Sequence, residues 1–128
     1  MEIGKKIWAI ADGYIPSLSH GPGPIVDKPE REFISHETAC ILNATDKEAT
    51  IELTIFFSDK EPLGPYKIKV GARRTNHFRF NDLKNPSIPF DTDYSSIFIS
   101  DVPVVIQHTR LDTRQAENAL LSTIAFSA

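Results

Sequence analysis

The side chains best suited to chemistry in this chain lie in the run Arg73–Phe80, where Arg73, Thr75, His77 and Arg79 recur at two-residue spacing. In an extended strand, successive side chains point to opposite faces. That places these four together and puts Phe78 and Phe80 on the other side. Guanidiniums around an imidazole can receive a carboxylate, a phosphate or a sugar hydroxyl, because the planar Arg fork holds several donors in fixed directions. The alternative is a solvated face with local ion pairs. A second polar row ends an otherwise apolar stretch: in Val102–Leu111, the residues Val104, Ile106, His108 and Arg110 share one face. Such a change marks either the rim of a sandwich or the mouth of a pocket. If the two rows converge, Arg73, His77, Arg79, His108 and Arg110 surround one space. Three permanent cations there would favour an anionic ligand or an acidic partner surface, and two histidines would make binding respond to pH near neutrality.

Other residues carry weaker signals. His36 shares a strand face with Ile34 and Cys40 and reads as a hydrogen-bonded core histidine, with ligand contact as the alternative; Glu37 stands next to it. Trp8, the sole tryptophan, reads as core packing or as a flat apolar platform for a sugar ring. The expected ligand or partner residues are therefore Trp8, His36, Glu37, Arg73, His77, Arg79, His108 and Arg110. Catalysis finds little support. Cys40 falls in a strand expected to be buried, where a thiol is usually inert. There is no Gly-x-Ser-x-Gly elbow, and Gly21 and Gly23 alternate with prolines that lack the N–H groups a phosphate loop needs. His36, His77 and His108 fall on three separate strands without a His-x-His or His-Glu-x-x-His spacing, so no metal or other cofactor is expected. The chain reads as a binding protein and not an enzyme.

The elements that must position these groups are strands. In Ile51–Phe57, Ile51, Leu53, Ile55 and Phe57 alternate with Glu52, Thr54 and Phe56, the pattern of a half-buried strand. Tyr66–Val70 alternates likewise. Further strands are expected at Ile3–Ala11, Phe33–Leu42, Thr75–Phe80, Ser95–Ser100, Val102–Leu111 and Leu120–Phe126, about eight in all. Breaker-rich connections separate them at Asn43–Lys47, Ser58–Pro65 and Asn85–Pro89. The expected fold is all-β, a two-sheet antiparallel β-sandwich forming a single domain over 1–128. Two Gly-Pro pairs make about 17–32 a surface loop, with a binding lid as the alternative, and Asp112–Asn118 reads as a turn between strands, with a short helix as the alternative.

Composition narrows the partners. The 128 residues are 41% hydrophobic and 24% charged, with a formal net charge of −3. Nucleic-acid binders usually carry a basic excess, so DNA binding would rest on a local patch. One cysteine permits no internal disulfide, which points to a reducing cytoplasm. No apolar run approaches the roughly 20 residues of a spanning helix, and neither a signal peptide nor membrane insertion is expected.

Several strings are distinctive: Trp8–Pro16, Phe33–Thr38, Phe57–Pro62, Ala72–Thr75, Arg79–Leu83, Val105–Asp112 and Arg114–Thr123. From about Trp8 to Phe126 they resemble the sensory rhodopsin transducer family. The segment Ser17–Glu32 departs from that pattern, being longer than the family's usual loop. The resemblance implies a β-sandwich of jelly-roll character and a soluble cytoplasmic homotetramer. It also implies a partner, the cytoplasmic face of a photosensory rhodopsin, and a signal relayed by binding. A DNA-binding output is attributed to the family's founding member, and the wider membership resembles small-molecule domains that bind sugars. A carbohydrate sensor unrelated to light is thus the alternative function.

Overall fold

In the computed structural model, residues 3–17, 35–112 and 119–128 are described. The loop expected at about 17–32 and the turn expected at 112–118 lie outside them, apart from Ser17 and Asp112. Eight strands occur among the described residues. They are β1 (Lys5–Gly13), β2 (His36–Asn43), β3 (Ala49–Phe57), β4 (Leu63–Val70), β5 (Arg74–Arg79), β6 (Tyr94–Asp112), β7 (Ala119–Ile124) and β8 (Phe126–Ser127). A 3-10 turn, Phe80–Asp82, is the only helical element among those residues. Every strand pairing is antiparallel.

The organising element is β6. Two strands expected from the sequence, Ser95–Ser100 and Val102–Leu111, are one strand of 19 residues. Its first half lies between β3 and β1, with Phe98 opposite both Leu53 and Trp8. Its second half lies between β2 and β7, with His108 opposite Ala39 and Thr123. One leaf therefore runs β4-β3-β6-β1-β8 and the other β5-β2-β6-β7. Pro103, which has no N–H to give a ladder, sits where the strand passes from one leaf to the other, between Ser100 on Ile51 and Val105 on Leu42. The chain end makes the same crossing. β7 pairs with the second half of β6, Ala125 donates its N–H to Ile106 O at 3.1 Å, and β8 then pairs with β1. The expected strand Leu120–Phe126 is thus divided in two.

The alternation along β6 never slips. Tyr94, Ser96, Phe98, Ser100, Val104, Ile106 and His108 are all buried, and all have even numbers. They meet Ile51, Leu53 and Ile55 of β3, Trp8 and Ile10 of β1, and Ala39 and Ile41 of β2 in one core. Phe80 closes one end of it, its ring 5.6 Å from Tyr94 and 6.1 Å from Phe98, with Phe78 edge-on at 5.8 Å. Trp8 is a core residue. It is buried, and its indole N–H is shared between Lys5 O and Val104 O, both at 2.9 Å. It offers no face to a sugar.

Phe98 is fully buried at the point where three strands meet. Phe98→Ala is expected to cost about 3–5 kcal/mol, the range for removing an aromatic ring from a packed core. Urea unfolding at neutral pH measures it; a loss below about 1 kcal/mol would contradict the packing described.

Candidate functional site

Glu37 is the most unusual side chain of the interior: a carboxylate with 1% of its surface exposed. It sits on β2 opposite Arg110 of β6, and cross-strand neighbours share a face. Arg110 Nε donates to Glu37 Oε1 at 2.6 Å, and the Tyr14 amide donates to the same oxygen at 3.0 Å. The Tyr94 hydroxyl donates a short hydrogen bond to Oε2. His108 Nε2 lies 3.6 Å from Oε2, an ion-pair distance too long for a hydrogen bond, and this buried nitrogen has no other partner. Arg110 continues outward to Asp12 of β1. Its NH2 group meets Asp12 Oδ1 at 3.1 Å and the Asp12 carbonyl at 3.2 Å, and its NH1 group meets Oδ2 at 3.3 Å. Asn81, just beyond β5, accepts the Glu37 amide at 3.2 Å and donates to Ser35 O at 3.0 Å.

This network runs from the core to the surface, since Asp12 is three-quarters exposed. Burial alone would raise the Glu37 carboxyl. His108, the Tyr94 hydroxyl, the Tyr14 amide and Arg110 together overcome that and hold it below its ordinary value of 4.5. Burial, then the adjoining Glu37 charge, pushes the Tyr94 phenol well above its ordinary range. Burial works against the Arg110 cation, but Asp12 and Glu37 more than compensate, so it stays charged. Asp12 opens onto two clefts. One, of about 530 Å³, is lined by Phe56, Phe57, Asp93 and Tyr94; the other, of about 230 Å³, lies between His108, Leu121, Ala125 and Phe126.

The two polar rows foreseen in the sequence do not converge. In the β5-β2-β6 ladder, Arg79 aligns with Thr38 and Thr109, and His77 with Cys40 and Gln107. These point away from the core, whereas His108 and Arg110 are on the opposite face with Ala39 and Glu37. Arg73 joins neither row. It precedes β5 in a turn with φ of 55°, donates its N–H to Thr45 O at 2.9 Å and borders a separate cleft with Lys47 and Asp101. A single space lined by five polar groups is therefore absent, because one strand row belongs to each side of one leaf. His36 also faces outward: it lines a cleft of about 350 Å³ with Thr38, Cys40, His77, Arg79 and Thr109. It is not the core histidine that its apolar neighbours suggested. Among the described residues, no three His, Cys, Asp or Glu side chains gather as a metal site.

A profile of the Anabaena sensory rhodopsin transducer family matches residues 3–127. The chain belongs to that family. One similar solved structure is the Anabaena sensory rhodopsin transducer itself, 56% identical, with a TM-score of 0.71 over 85% of this chain and 99% of that one. A crystal structure of Thermotoga maritima 1070 is 32% identical, with a TM-score of 0.80 over 98% of this chain and 96% of the other. Among curated proteins none is similar enough to match. For this family member, no helix of the described residues is long and apolar enough to cross a membrane.

Glu37, His108 and Arg110 were legible as candidates in the sequence, whereas Asp12, Tyr14, Tyr94 and Asn81 were not. Asp12 and Tyr14 stand in the string Trp8–Pro16 that carries the family resemblance, which was the available signal. Tyr94 lies one residue before the expected strand Ser95–Ser100, and nothing in its spacing marked it.

Glu37→Gln is expected to destabilise the protein by about 3–5 kcal/mol at pH 7, since it leaves Arg110 without its buried counter-charge. A carboxyl depressed in the folded state stabilises above its unfolded value and loses that contribution as pH falls through the folded value. The gap between wild type and variant should therefore narrow below about 4.5. Urea titrations on both sides of that pH check this; a constant gap would refute the ionised Glu37.

Proposed function

We propose that this protein is a signal transducer that works by binding, receiving its signal from the cytoplasmic face of a sensory rhodopsin. The observation that carries the reading is the family match across nearly the whole chain, together with 56% identity to the Anabaena sensory rhodopsin transducer. The interior favours binding over catalysis. Both oxygens of Glu37 are occupied, and all three nitrogens of Arg110 are engaged, so neither is available to take a proton from a substrate or hold one. The protein acts in the cytoplasm in this reading, and its docking residues are drawn from His36, His77 and Arg79 outside and from Arg110 with Asp12 at the leaf edge.

A homotetramer is part of the same proposal. Leu120, Ile124 and Phe126 are 63–72% exposed on the two C-terminal strands, and exposed apolar side chains near one another are a mark of association. Light scattering at micromolar concentration is expected to give a mass near four times the 14.3 kDa of one chain; a monodisperse monomer would refute the assembly.

The docking test uses a microbial sensory rhodopsin in nanodiscs and measures binding in the dark and under illumination. Saturable binding that changes with light is expected. No binding in either condition sinks the proposal. A thermal-shift screen of monosaccharides addresses the carbohydrate alternative. A ligand at 100 times its Kd adds about 2.7 kcal/mol to stability, so an unmoved melting temperature across the panel is the expected result.

A further inference from the structure

On the outward face of the β5-β2-β6-β7 leaf, no strand residue is Asp or Glu, although the chain holds 17 of them. Arg79 and His77 stand there on β5, two residues apart and exposed. Neither has an ion-pair or side-chain hydrogen-bond partner among the described residues, while Arg110 on the inner face is fully engaged. Beside them His36, Thr38 and Thr109 complete the 350 Å³ cleft. β5 is also an edge strand: among the described strands it is hydrogen-bonded only to β2, so its outer N–H and C=O groups are free of a strand neighbour. An unpaired edge is a template for a further strand.

We infer that β5 receives an extended acidic segment of a partner protein, which adds as a strand to its free edge and sets carboxylates against Arg79 and His77. A strand added antiparallel to β5 would place every second side chain beside the outward row, at the separation of cross-strand pairs. An unpaired guanidinium presents the planar fork that matches a carboxylate, and no strand residue described on this face is an acid that competes for it. Partner residues of the intervening positions would face the opposite way, toward Phe78. The segment therefore alternates acidic and apolar residues. This rests on the docking function proposed above and specifies the chemistry of the partner's contact.

The test uses a labelled peptide of alternating glutamate and valine and follows fluorescence anisotropy at low and high salt. Binding that weakens with salt is expected, as is a loss of tenfold or more in Arg79→Glu, whose melting temperature should match wild type because the residue is exposed. A peptide with lysine for glutamate, and one with proline for the central valines, should bind at least tenfold more weakly. Absent binding, an unchanged Arg79→Glu variant, or equal binding of either control peptide overturns the inference. So does tighter binding of duplex DNA that is lost in the same variant, which would make this a phosphate-binding face. The nanodisc experiment separates the two levels. If a rhodopsin binds wild type and Arg79→Glu alike, the edge-strand inference fails and the docking function stands. If the acidic peptide binds as described and no rhodopsin does, the edge stands and the docking function fails.

Discussion

A carboxylate stays ionised inside a protein only when its surroundings replace the water it has lost, and the arrangement around Glu37 satisfies that demand. Its contacts come from Tyr14, just beyond the end of β1, and from both halves of β6. Tyr94 and Arg110 stand near opposite ends of the same strand, yet both reach one carboxylate. The curvature of β6 between the two leaves and the burial of Glu37 are thus mutually dependent. Loosening either strand would strand a charge in an apolar core. The same contacts explain why Phe80 and Tyr94 pack together at this end, since the phenol must bring its hydroxyl to Glu37 while its ring remains among aromatic neighbours.

The long strand accounts for the rest of the architecture. Because it belongs to both leaves and keeps its alternation, its even-numbered residues from Tyr94 to Arg110 face one continuous interior. The apolar members pack, and the polar ones near the Asp112 end, His108 and Arg110, take part in the charge network. β7 and β8 repeat the crossing at the chain end, pairing first with β6 and then with β1. This leaves two unlike polar regions. In the inner one, Glu37 and Arg110 are fully engaged and link the core to exposed Asp12, while His108 Nε2 lacks a hydrogen bond. In the outer one, Arg79 and His77 are exposed and have no ion-pair or side-chain hydrogen-bond partner among the described residues.

Much of the fold was legible in the amino-acid order. The period-two runs at Ile51–Phe57 and Tyr66–Val70 lie within β3 and β4 because alternation is a local consequence of the pleat and of one-sided burial. Phe78 was placed correctly on the face opposite His77 and Arg79 for the same reason. The continuity of β6 was less visible. Asp101 and Pro103 look like a break, but the proline falls at the change of leaf, where it disturbs no ladder. Arg73 was misplaced because its left-handed backbone is imposed by the turn joining β4 to β5 and by its hydrogen bond to Thr45, a residue 28 positions earlier.

The candidate site shows the same division. His108 and Arg110 share a face by parity alone, and so do His77 and Arg79; the sequence by itself determined each pair, together with the strand class and the family resemblance. Whether the pairs met depended on which face of β2 each neighbouring strand turned outward, and that is a matter of register. A shift of one residue would have reversed the answer. Only the tertiary structure decided that Glu37 faces inward to Arg110 while His36, its immediate neighbour, faces out to the cleft beside Arg79. Parity along a strand is written in the chain, but the side on which the core lies is settled by what packs against it.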